Sequence, residues 1–316
     1  MLHHLEWLIT SPAHSVSEPL ITVIIPTCGR LDALRATLDL ILPQIEASET
    51  TCEVLVCDDS GFDDVRSLIH ECFPSAQWHP VPIRGAAACR NLGAARATGG
   101  WLIFIDDDVL PRASLVSAYS QAFLSASVND VAFEGATFLD RPAPSLLWEG
   151  PSNPNCNGHP SCNWGIRRTF FLEAKGFDER YLRAQDIEFA ARVEAMGYDF
   201  RPLKEAVVIH PLRRIPSARA LAARWEYKLL YTLELGIDPL TARYRMPWHA
   251  LRVIQSRFKN QPVNWENLIA RYIFAIEWAY VLWLTPGWIK KWSGTRRTGF
   301  WSSKVAGGYS VAKFGL

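Results

Sequence analysis

The first 110 residues alternate short apolar runs with segments whose apolar residues recur at helical spacing. The runs predict strands buried on both faces, and each leads into a polar residue: 21–27, 53–60 and 101–108. The helical segments, the last rich in small residues, are 32–41, 65–72 and 86–97. With a short extended piece at 77–81, the order is β-α-β-α-β-α-β. It predicts an α/β fold with a doubly wound, mostly parallel central sheet flanked by helices.

The most informative stretch is the apolar run Trp101 to Ile105, which leads directly into Asp106, Asp107 and Asp108. In open α/β sheets, ligands bind beyond the carboxyl ends of the strands. Adjacent carboxylates repel one another, and a divalent cation with oxygen ligands offsets that repulsion. The alternative is a solvated turn, because Asp is a common turn residue. Three in succession favour a metal site.

The second half of the pattern places two more polar residues at element ends. A helix that begins at Gln185 puts Asp186 on the same stripe as Phe189, which predicts either a helix N-cap or a buried base. Glu188 and Arg192 of the same helix are predicted to lie on a different, more polar face than Asp186 and Phe189. A buried strand at 207–210 ends in His210, a position more typical of a loop histidine than of a ligand. The Pro-, Asn-, Gly- and Ser-rich segment 142–162 predicts a functional loop or lid.

Composition excludes several classes of protein. Thirty-three Lys and Arg against 32 Asp and Glu give a net charge of +1, so no nucleic-acid partner is expected. Seven cysteines without a CxxC pair argue against a disulfide framework and a zinc site, and they favour a reducing cytoplasm. The first strand-to-helix turn, 26–30, holds one glycine, which argues against a dinucleotide or P-loop enzyme. Residues 1–19 lack the apolar core of a signal peptide.

The C-terminal third predicts helices at 217–236 and 264–284. Six of the 13 tryptophans follow residue 264, among Lys and Arg residues, a composition typical of a membrane interface. The alternatives are a helical pair packed on the sheet and a homodimer contact. No stretch reaches 18 uninterrupted apolar residues, so no membrane span is expected. The predicted division is an N-terminal extension (1–19), a catalytic domain (20–215, with halves 20–110 and 111–215) and a helical region (216–316).

Seven short motifs in order resemble a known family. They are Ile-Ile-Pro-Thr, Val-Cys-Asp-Asp-Ser, Arg-Asn-Leu-Gly-Ala, Ile-Asp-Asp-Asp, Gly-Phe-Asp-Glu, Gln-Asp-Ile-Glu-Phe and Ile-His. Together they resemble the inverting, nucleotide-sugar-dependent glycosyltransferases of family two, which have the GT-A fold. The resemblance, over about residues 20–215, implies transfer from a nucleoside diphosphate sugar, most often UDP-linked, to a hydroxyl of a saccharide or lipid-linked glycan.

The resemblance also implies roles for individual residues. The nucleotide-sugar would contact Pro26, Thr27, Arg30, Asp59, Arg90, Asn91, Asp106, Asp107, Arg213 and Arg214. Mg²⁺ or Mn²⁺ would be bound by Asp108, with Asp106 and His210. Asp186 would be the catalytic base, and Trp164 and Gln185 would contact the acceptor. Gln185 departs from the Glu usual before the base, which puts acceptor contacts in doubt.

Two other functions remain open at this level. A nucleotidyltransferase on a similar sheet also uses carboxylates and a metal, but it predicts a Gly-rich basic loop where only Gly29 and Arg30 are present. A binding module would keep the nucleotide pocket without turnover. The expected location is the cytoplasm, with or without peripheral contact at the inner face of a membrane.

Overall fold

The structure, a computed structural model, describes residues 21–294. Its strands are β1 (Ile21–Thr27), β2 (Cys52–Asp58), β3 (Ala76–Pro80), β4 (Trp101–Ile105), β5 (Leu110–Pro111), β6 (Ala132–Leu139), β7 (Trp148–Glu149), β8 (Asn163–Arg167), β9 (Phe200–His210) and β10 (Arg213–Arg214). Its helices are α1 (Leu31–Glu46), α2 (Asp64–Cys72), α3 (Ala86–Arg96), α4 (Leu115–Leu124), α5 (Arg168–Glu173), α6 (Gln185–Ala195), α7 (Ala218–Ala222), α8 (Arg224–Glu234), α9 (Pro239–Arg257) and α10 (Trp265–Trp292). The predicted N-terminal extension lies outside the described residues.

Eight strands form one central sheet in the order β3-β2-β1-β4-β8-β6-β9-β5. The β3-β2-β1-β4 half is parallel, as is the β6-β9 pair, whereas β8 and β5 run antiparallel to their neighbours. The predicted α/β fold with a mostly parallel sheet is confirmed. The carboxyl ends of β1, β2 and β4 therefore meet at one edge.

The alternation of side chains along each strand divides the core between the two faces of the sheet. Ile21, Val23 and Ile25 pack on one face with the apolar stripes of α1, α2 and α4. Ile24 and Phe104 point to the other face, where α3, α5 and α6 cover them. These wholly buried strands fix the positions of the polar residues that follow them.

Several elements differ from the sequence prediction. The first helix extends beyond the predicted 32–41 and ends at Glu46, because the buried residues Ile41 and Leu42 hold its last turns against the core. The strand β8 was not predicted, since Asn163 and Gly165 interrupt its apolar pattern. Gly165 is required there: a Cβ would lie 2.6 Å from the Tyr119 ring and 2.7 Å from the Phe123 ring. The predicted helix 217–236 is two helices, α7 and α8, and α9 was missed altogether.

The C-terminal helices form their own apolar clusters and also contact the sheet domain. Helices α8, α9 and α10 share a core that includes Leu229, Met246 and Val281. Tyr227 and Leu230 of α8 pack with Ala191 of α6. The boundary near residue 215 stays a prediction. By length and composition alone, α10 is also long and apolar enough to cross a membrane.

Candidate functional site

The predicted cluster at the carboxyl edge of the sheet is assembled around Asp107. This side chain is fully buried and accepts a hydrogen bond of 2.6 Å from Thr27 Oγ1 at the end of β1. Arg30, in the turn after β1, forms an ion pair with the same carboxylate. Burial raises the pKa of the Asp107 carboxyl to about 6, against the opposing effects of Arg30 and Thr27. Asp107 therefore joins β1 to β4.

Asp108 is the carboxylate that cations surround. Arg30 Nη1 lies 2.5 Å from Asp108 Oδ2, and Arg213 Nη1 lies 3.9 Å from the same oxygen. His210, at the end of β9, places Nε2 3.5 Å from Asp108 Oδ1. The other ring nitrogen, Nδ1, lies 2.9 Å from the Pro211 carbonyl oxygen. Because a carbonyl oxygen only accepts, Nδ1 carries a proton, and Nε2 is the ring nitrogen that faces Asp108.

This pair fits a divalent cation. A metal about 2.1 Å from each ligand can lie between two atoms that are 3.5 Å apart. Over the described residues 21–294, however, no three His, Cys, Asp or Glu side chains are grouped as a metal site. Asp106, the predicted third ligand, is instead ion-paired with Arg90. Two protein ligands suffice for a metal that also keeps waters and binds substrate phosphates.

Arg90 links this cluster to the candidate base. Its guanidinium is 1% exposed, pairs with Asp106 and lies over the Phe177 ring, with Cζ 5.6 Å from the ring centroid. Both Arg90 and Asp106 act electrostatically on Asp186. Burial raises the pKa of the Asp186 carboxyl above its usual range; Arg90 opposes the rise and Asp106 adds to it. An elevated pKa is what a proton acceptor at neutral pH needs.

The backbone before α6 sets the position of Asp186. Ala184, the N-cap residue, has a left-handed conformation with φ 59°, and Asp186 follows in the first helical turn. Asp186 is half-buried, and its Oδ1 accepts a hydrogen bond of 2.9 Å from the Ile187 N–H. Asp186 is therefore not the N-cap, and its role as the base stays a prediction.

The predicted polar face of α6 is wrong. Glu188 and Arg192 are both buried and form an ion pair of 2.7 Å. Arg192 also donates to the carbonyl oxygens of Ala174 and, at 2.8 Å, Gly176. The pair is buried because α5 and the turn after it cover this side of α6. It fixes the turn that precedes Phe177.

Four other predicted residues lie in well-defined surroundings, and their proposed ligand roles stay predictions. Pro26 is buried within β1. Asp59 Oδ2 accepts from the Gly85 N–H at 2.5 Å, which anchors the start of α3. Asn91 is bonded to the Phe177 backbone, donating at 2.9 Å and accepting at 2.8 Å. Gln185 is nearly buried beside Asp186.

The prediction for Trp164 is contradicted. Its side chain is 0% exposed and packs among Phe177, Phe189 and Phe200 in the core. These aromatic side chains cover it, so it is not accessible to an acceptor. The burial of Trp164 was not predicted, because β8 itself was not predicted.

The predicted arginines Arg213 and Arg214 lie on a small two-stranded sheet beside the cluster. Arg213 and Arg214 form β10, which pairs antiparallel with Glu149 and Trp148 of β7. Arg214 lies over the Trp148 ring, with Cζ 5.6 Å from the centroid. Both arginines are exposed. Arg213 lies beside Asp108, and the predicted role of both arginines in nucleotide-sugar binding stays a prediction.

The loop 142–162 that carries β7 is anchored from within. Buried Glu134 of β6 accepts a bond of 2.7 Å from Asn153 Nδ2 and lies 3.0 Å from His159 Nδ1. The Asn153 backbone pairs with Thr137. Cys156 and Cys162, which lie in this loop, are free thiols. The role of the loop 142–162 as a lid stays a prediction.

Sequence reasoning missed two residues that support the site. Thr37 of α1 donates to the carbonyl oxygens of Asp107 at 3.0 Å and Val109 at 2.8 Å, which fixes the acidic turn. A polar residue inside the apolar stripe of that helix was the available signal. Glu149 pairs with Arg224 and lies 3.8 Å from Arg213. Nothing local marks Glu149, since its partners come from distant parts of the chain.

Comparison with known proteins agrees with the resemblance in the first part of the chain. Residues 22–125 match the model of glycosyl transferase family 2. A pre-mycofactocin glycosyltransferase of Mycobacterium tuberculosis is 25% identical over 219 residues, which cover 64% of this chain and 45% of that protein. An uncharacterized glycosyltransferase of Haemophilus influenzae is 30% identical over 89 residues, 28% of this chain and 29% of its own length. The chain thus spans less than half the length of these curated relatives.

Among solved structures, the mannosyltransferase PcManGT from Pyrobaculum calidifontis, in complex with GDP-Man and Mn²⁺, aligns with a TM-score of 0.49 and 17% identity, covering 95% of this chain and 82% of that one. A Drosophila β1,4-galactosyltransferase 7 catalytic domain aligns with a TM-score of 0.40 and 13% identity, over 58% of this chain and 65% of its own. The likeness to the glycosyltransferase family rests on the match over residues 22–125 and on the seven motifs. Over residues 22–125, this chain is similar to glycosyltransferase family 2.

Proposed function

We propose that this protein is an inverting glycosyltransferase that moves a sugar from a nucleoside diphosphate sugar to a hydroxyl of a saccharide or lipid-linked glycan. One observation carries the proposal. A carboxylate with a raised pKa, Asp186, lies within the electrostatic reach of Asp106 and Arg90 at the edge where the acidic cluster gathers. The family match covers the nucleotide-binding half of the predicted domain. The longest curated alignment is also to a glycosyltransferase.

The donor would bind along the carboxyl edge of β1, β2 and β4. Arg30, Arg213 and Arg214 supply cationic groups for the diphosphate. The nucleoside would lie toward Thr27 and Asp59, and uridine is the base that the family resemblance favours. Asn91 would lie at the border of the nucleoside pocket, because its amide group donates a hydrogen bond to the Phe177 carbonyl oxygen.

Asp108 and His210 would hold Mg²⁺ or Mn²⁺, which would offset the negative charge that builds on the diphosphate as it leaves. The protonated Nδ1 of His210, held at the Pro211 carbonyl, keeps the ring oriented for this. Arg213, held between Asp108 and Glu149, lies beside the same charge.

Asp186 would take the proton of the acceptor hydroxyl as the hydroxyl attacks the anomeric carbon. Attack from the side opposite the leaving diphosphate inverts the configuration in one displacement. The positive charge of Arg90 opposes the rise in the pKa of Asp186 and so favours the ionised carboxylate, which is the form that accepts a proton. Gln185, next to the base, is the proposed acceptor contact, with an amide in place of the usual carboxylate.

The alternatives make different predictions. A nucleotidyltransferase would transfer the nucleotidyl group and release pyrophosphate, and the short turn Gly29-Arg30 offers little to hold a triphosphate. A binding module would bind the nucleotide-sugar without turning it over. The geometry of Asp186 favours turnover over binding alone.

A two-stage experiment tests the proposal. Thermal unfolding is followed with UDP, GDP, ADP and CDP, each with and without Mn²⁺, and at least one should raise Tm only when Mn²⁺ is present. Hydrolysis of the matching nucleotide-sugar panel is then compared between the native protein and Asp186→Asn. Loss of turnover with retained stabilisation supports the enzyme. Equal hydrolysis by both proteins, or no stabilisation by any nucleotide, contradicts it.

A further inference from the structure

The long helix α10 presents its apolar side outward. Its buried stripe includes the polar residues Asn267, Glu277 and Thr285. Most of its exposed large side chains are apolar or aromatic: Trp265, Leu268, Ile269, Tyr272, Leu282 and Trp283. The exposed charged residues of the helix, Arg271, Lys290 and Lys291, are all basic. A helix on the surface of a globular domain normally exposes its polar side to water. The outward side of α10 is therefore suited to a less polar medium.

The neighbouring helix α9 supplies basic groups around exposed aromatic residues. Leu240, Tyr244 and Trp248 are spaced four residues apart and are all exposed, so they form one outward stripe. Exposed basic residues flank or extend that stripe: Arg243, Arg245, Arg252 and Lys259. From Pro239 to Trp265 the sequence has five basic residues and no Asp or Glu. The region therefore carries a local positive charge that the overall charge of +1 conceals.

The two helices are held together as one surface. Trp278 Nε1 of α10 donates to the Pro247 carbonyl of α9 at 3.0 Å, directly beside the exposed Trp248. Met246 and Ala250 of α9 share a buried cluster with Val281 of α10. The outward sides of the two helices, called here the α9–α10 face, combine tryptophan, tyrosine and arginine. Helices that lie in the headgroup region of a membrane have this composition.

We infer that the α9–α10 face docks on the surface of a bilayer that contains anionic lipids. The aromatic and aliphatic side chains enter the headgroup region, and the arginines pair with lipid phosphates. A second copy of this chain is the less favoured occupant, because two identical basic faces repel each other. The inference does not depend on which donor or acceptor the glycosyl-transfer site uses.

Lying on the membrane fits α10 better than crossing it. Glu277, near the middle of the helix, is 1% exposed and accepts a bond of 2.8 Å from Trp225 Nε1 of α8. Arg257 of α9 lies 3.3 Å from its other oxygen. If α10 crossed a bilayer alone, this carboxylate would enter the hydrocarbon without these partners, at a high free-energy cost. The packed helix keeps Glu277 inside the protein and presents the opposite side to lipid.

Vesicle co-sedimentation of the full chain tests the inference. Phosphatidylcholine vesicles are compared with vesicles that also contain phosphatidylglycerol, at low and high salt. We expect binding to the anionic vesicles that weakens as salt rises. The variant Arg243→Gln/Arg245→Gln/Arg252→Gln should lower the partition coefficient by about fivefold for each charge removed. Trp248→Ser/Trp283→Ser should lower it at least as much.

Matched controls lie on the sheet domain. Phe62→Ser removes an aromatic side chain that is 71% exposed, the same fraction as Trp283. Arg66→Gln removes an exposed guanidinium. Both controls should bind vesicles like the native protein. Circular dichroism of every variant separates loss of docking from loss of folding.

Three results would overturn the inference. The first is no binding to anionic vesicles, or binding that the face variants leave unchanged. The second is a dimer in sedimentation velocity that Trp248→Ser/Trp283→Ser converts to a monomer, with no vesicle binding, which assigns the face to a second copy. The third is vesicle-bound protein that resists alkaline carbonate, because a docked face is released by this treatment and a membrane-spanning helix is not.

Discussion

The three adjacent aspartates differ in what surrounds them. Asp107 is enclosed by Thr27 and Arg30 and serves as a connection between strands. Asp108 faces His210 and two arginines at the solvent edge. Asp106 is paired with the buried Arg90. Only Asp108 combines access with a neighbouring ligand, so it is the aspartate we expect to bind the metal.

We predict that Asp186→Asn lowers turnover by about 10²–10⁴-fold, the usual contribution of a general base. Native activity should fall as pH decreases through the raised pKa of Asp186, because protonation removes the accepting lone pair. The fall should come at a higher pH than for an unperturbed aspartate. Turnover measured across a pH series with the responsive donor tests this.

The control for that measurement is nucleotide binding, which Asp186→Asn should leave within about twofold of native, since the base faces the acceptor. If the activity of Asp186→Asn depended on pH in the same way as that of the native protein, Asp186 would not be the group that accepts the proton.

At the scale of elements, the turn before α6 depends on a buried ion pair. Arg192 holds Glu188 and the carbonyl oxygens of Ala174 and Gly176. The Asn91 amide holds the next residue, Phe177, from the opposite side. The start of α6, which carries Asp186, is thus positioned from two directions.

We predict that Arg192→Met destabilises the fold by about 3–5 kcal/mol, because it leaves the buried Glu188 carboxylate without its cation. Urea unfolding followed by circular dichroism measures the loss. The double variant Glu188→Gln/Arg192→Met should recover part of it, since the buried charge is then gone. A single variant as stable as the native protein would show that the pair contributes little.

The strand-end carboxylates and the candidate base were predictable because local patterns determine them. A buried strand that leads into three Asp residues places them at a sheet edge, and the helical stripe that contains Phe189 turns Asp186 inward. The surroundings of these residues were not predictable. Arg30 and Arg90 reach the cluster from turns and helices elsewhere in the chain, and such pairings have no local signal. The same limitation hid β8, whose position between β4 and β6 is a property of the whole sheet.

For the whole molecule, the C-terminal helices depend on one inward carboxylate. Glu277 of α10 connects Trp225 of α8 with Arg257 of α9. The sequence pattern alone assigned no role to Glu277. The role of Glu277 in joining the three helices could not be predicted, because α9, which contains two prolines, was not predicted to be a helix.

We predict that Glu277→Leu destabilises the C-terminal helices by about 1–3 kcal/mol, because it leaves the buried Trp225 N–H without an acceptor. Trp283→Ser, on the exposed side of the same helix, should change stability by no more than about 0.5 kcal/mol. Thermal unfolding of both variants provides the comparison. Equal effects at the two positions would mean that α10 is not oriented as described.

The arginines at the acidic cluster imply a mutual dependence between two ligands. Arg30 and Arg213 are already engaged by Asp108, so an incoming diphosphate can recruit them only by weakening those ion pairs. A divalent cation at Asp108 weakens the same pairs, and each ligand therefore lowers the cost of binding the other. Binding free energies are reciprocal, so the factor by which Mn²⁺ tightens the nucleotide must equal the factor by which the nucleotide tightens Mn²⁺.

Isothermal titration calorimetry, with Mn²⁺ added before the nucleotide and with the nucleotide added before Mn²⁺, measures these two factors. Arg30→Gln should bring both factors closer to one and should raise the affinity for Mn²⁺ in the absence of nucleotide. In the native protein, the charges of the empty site would neutralise one another. The site would therefore bind donor and metal together more tightly than either one alone.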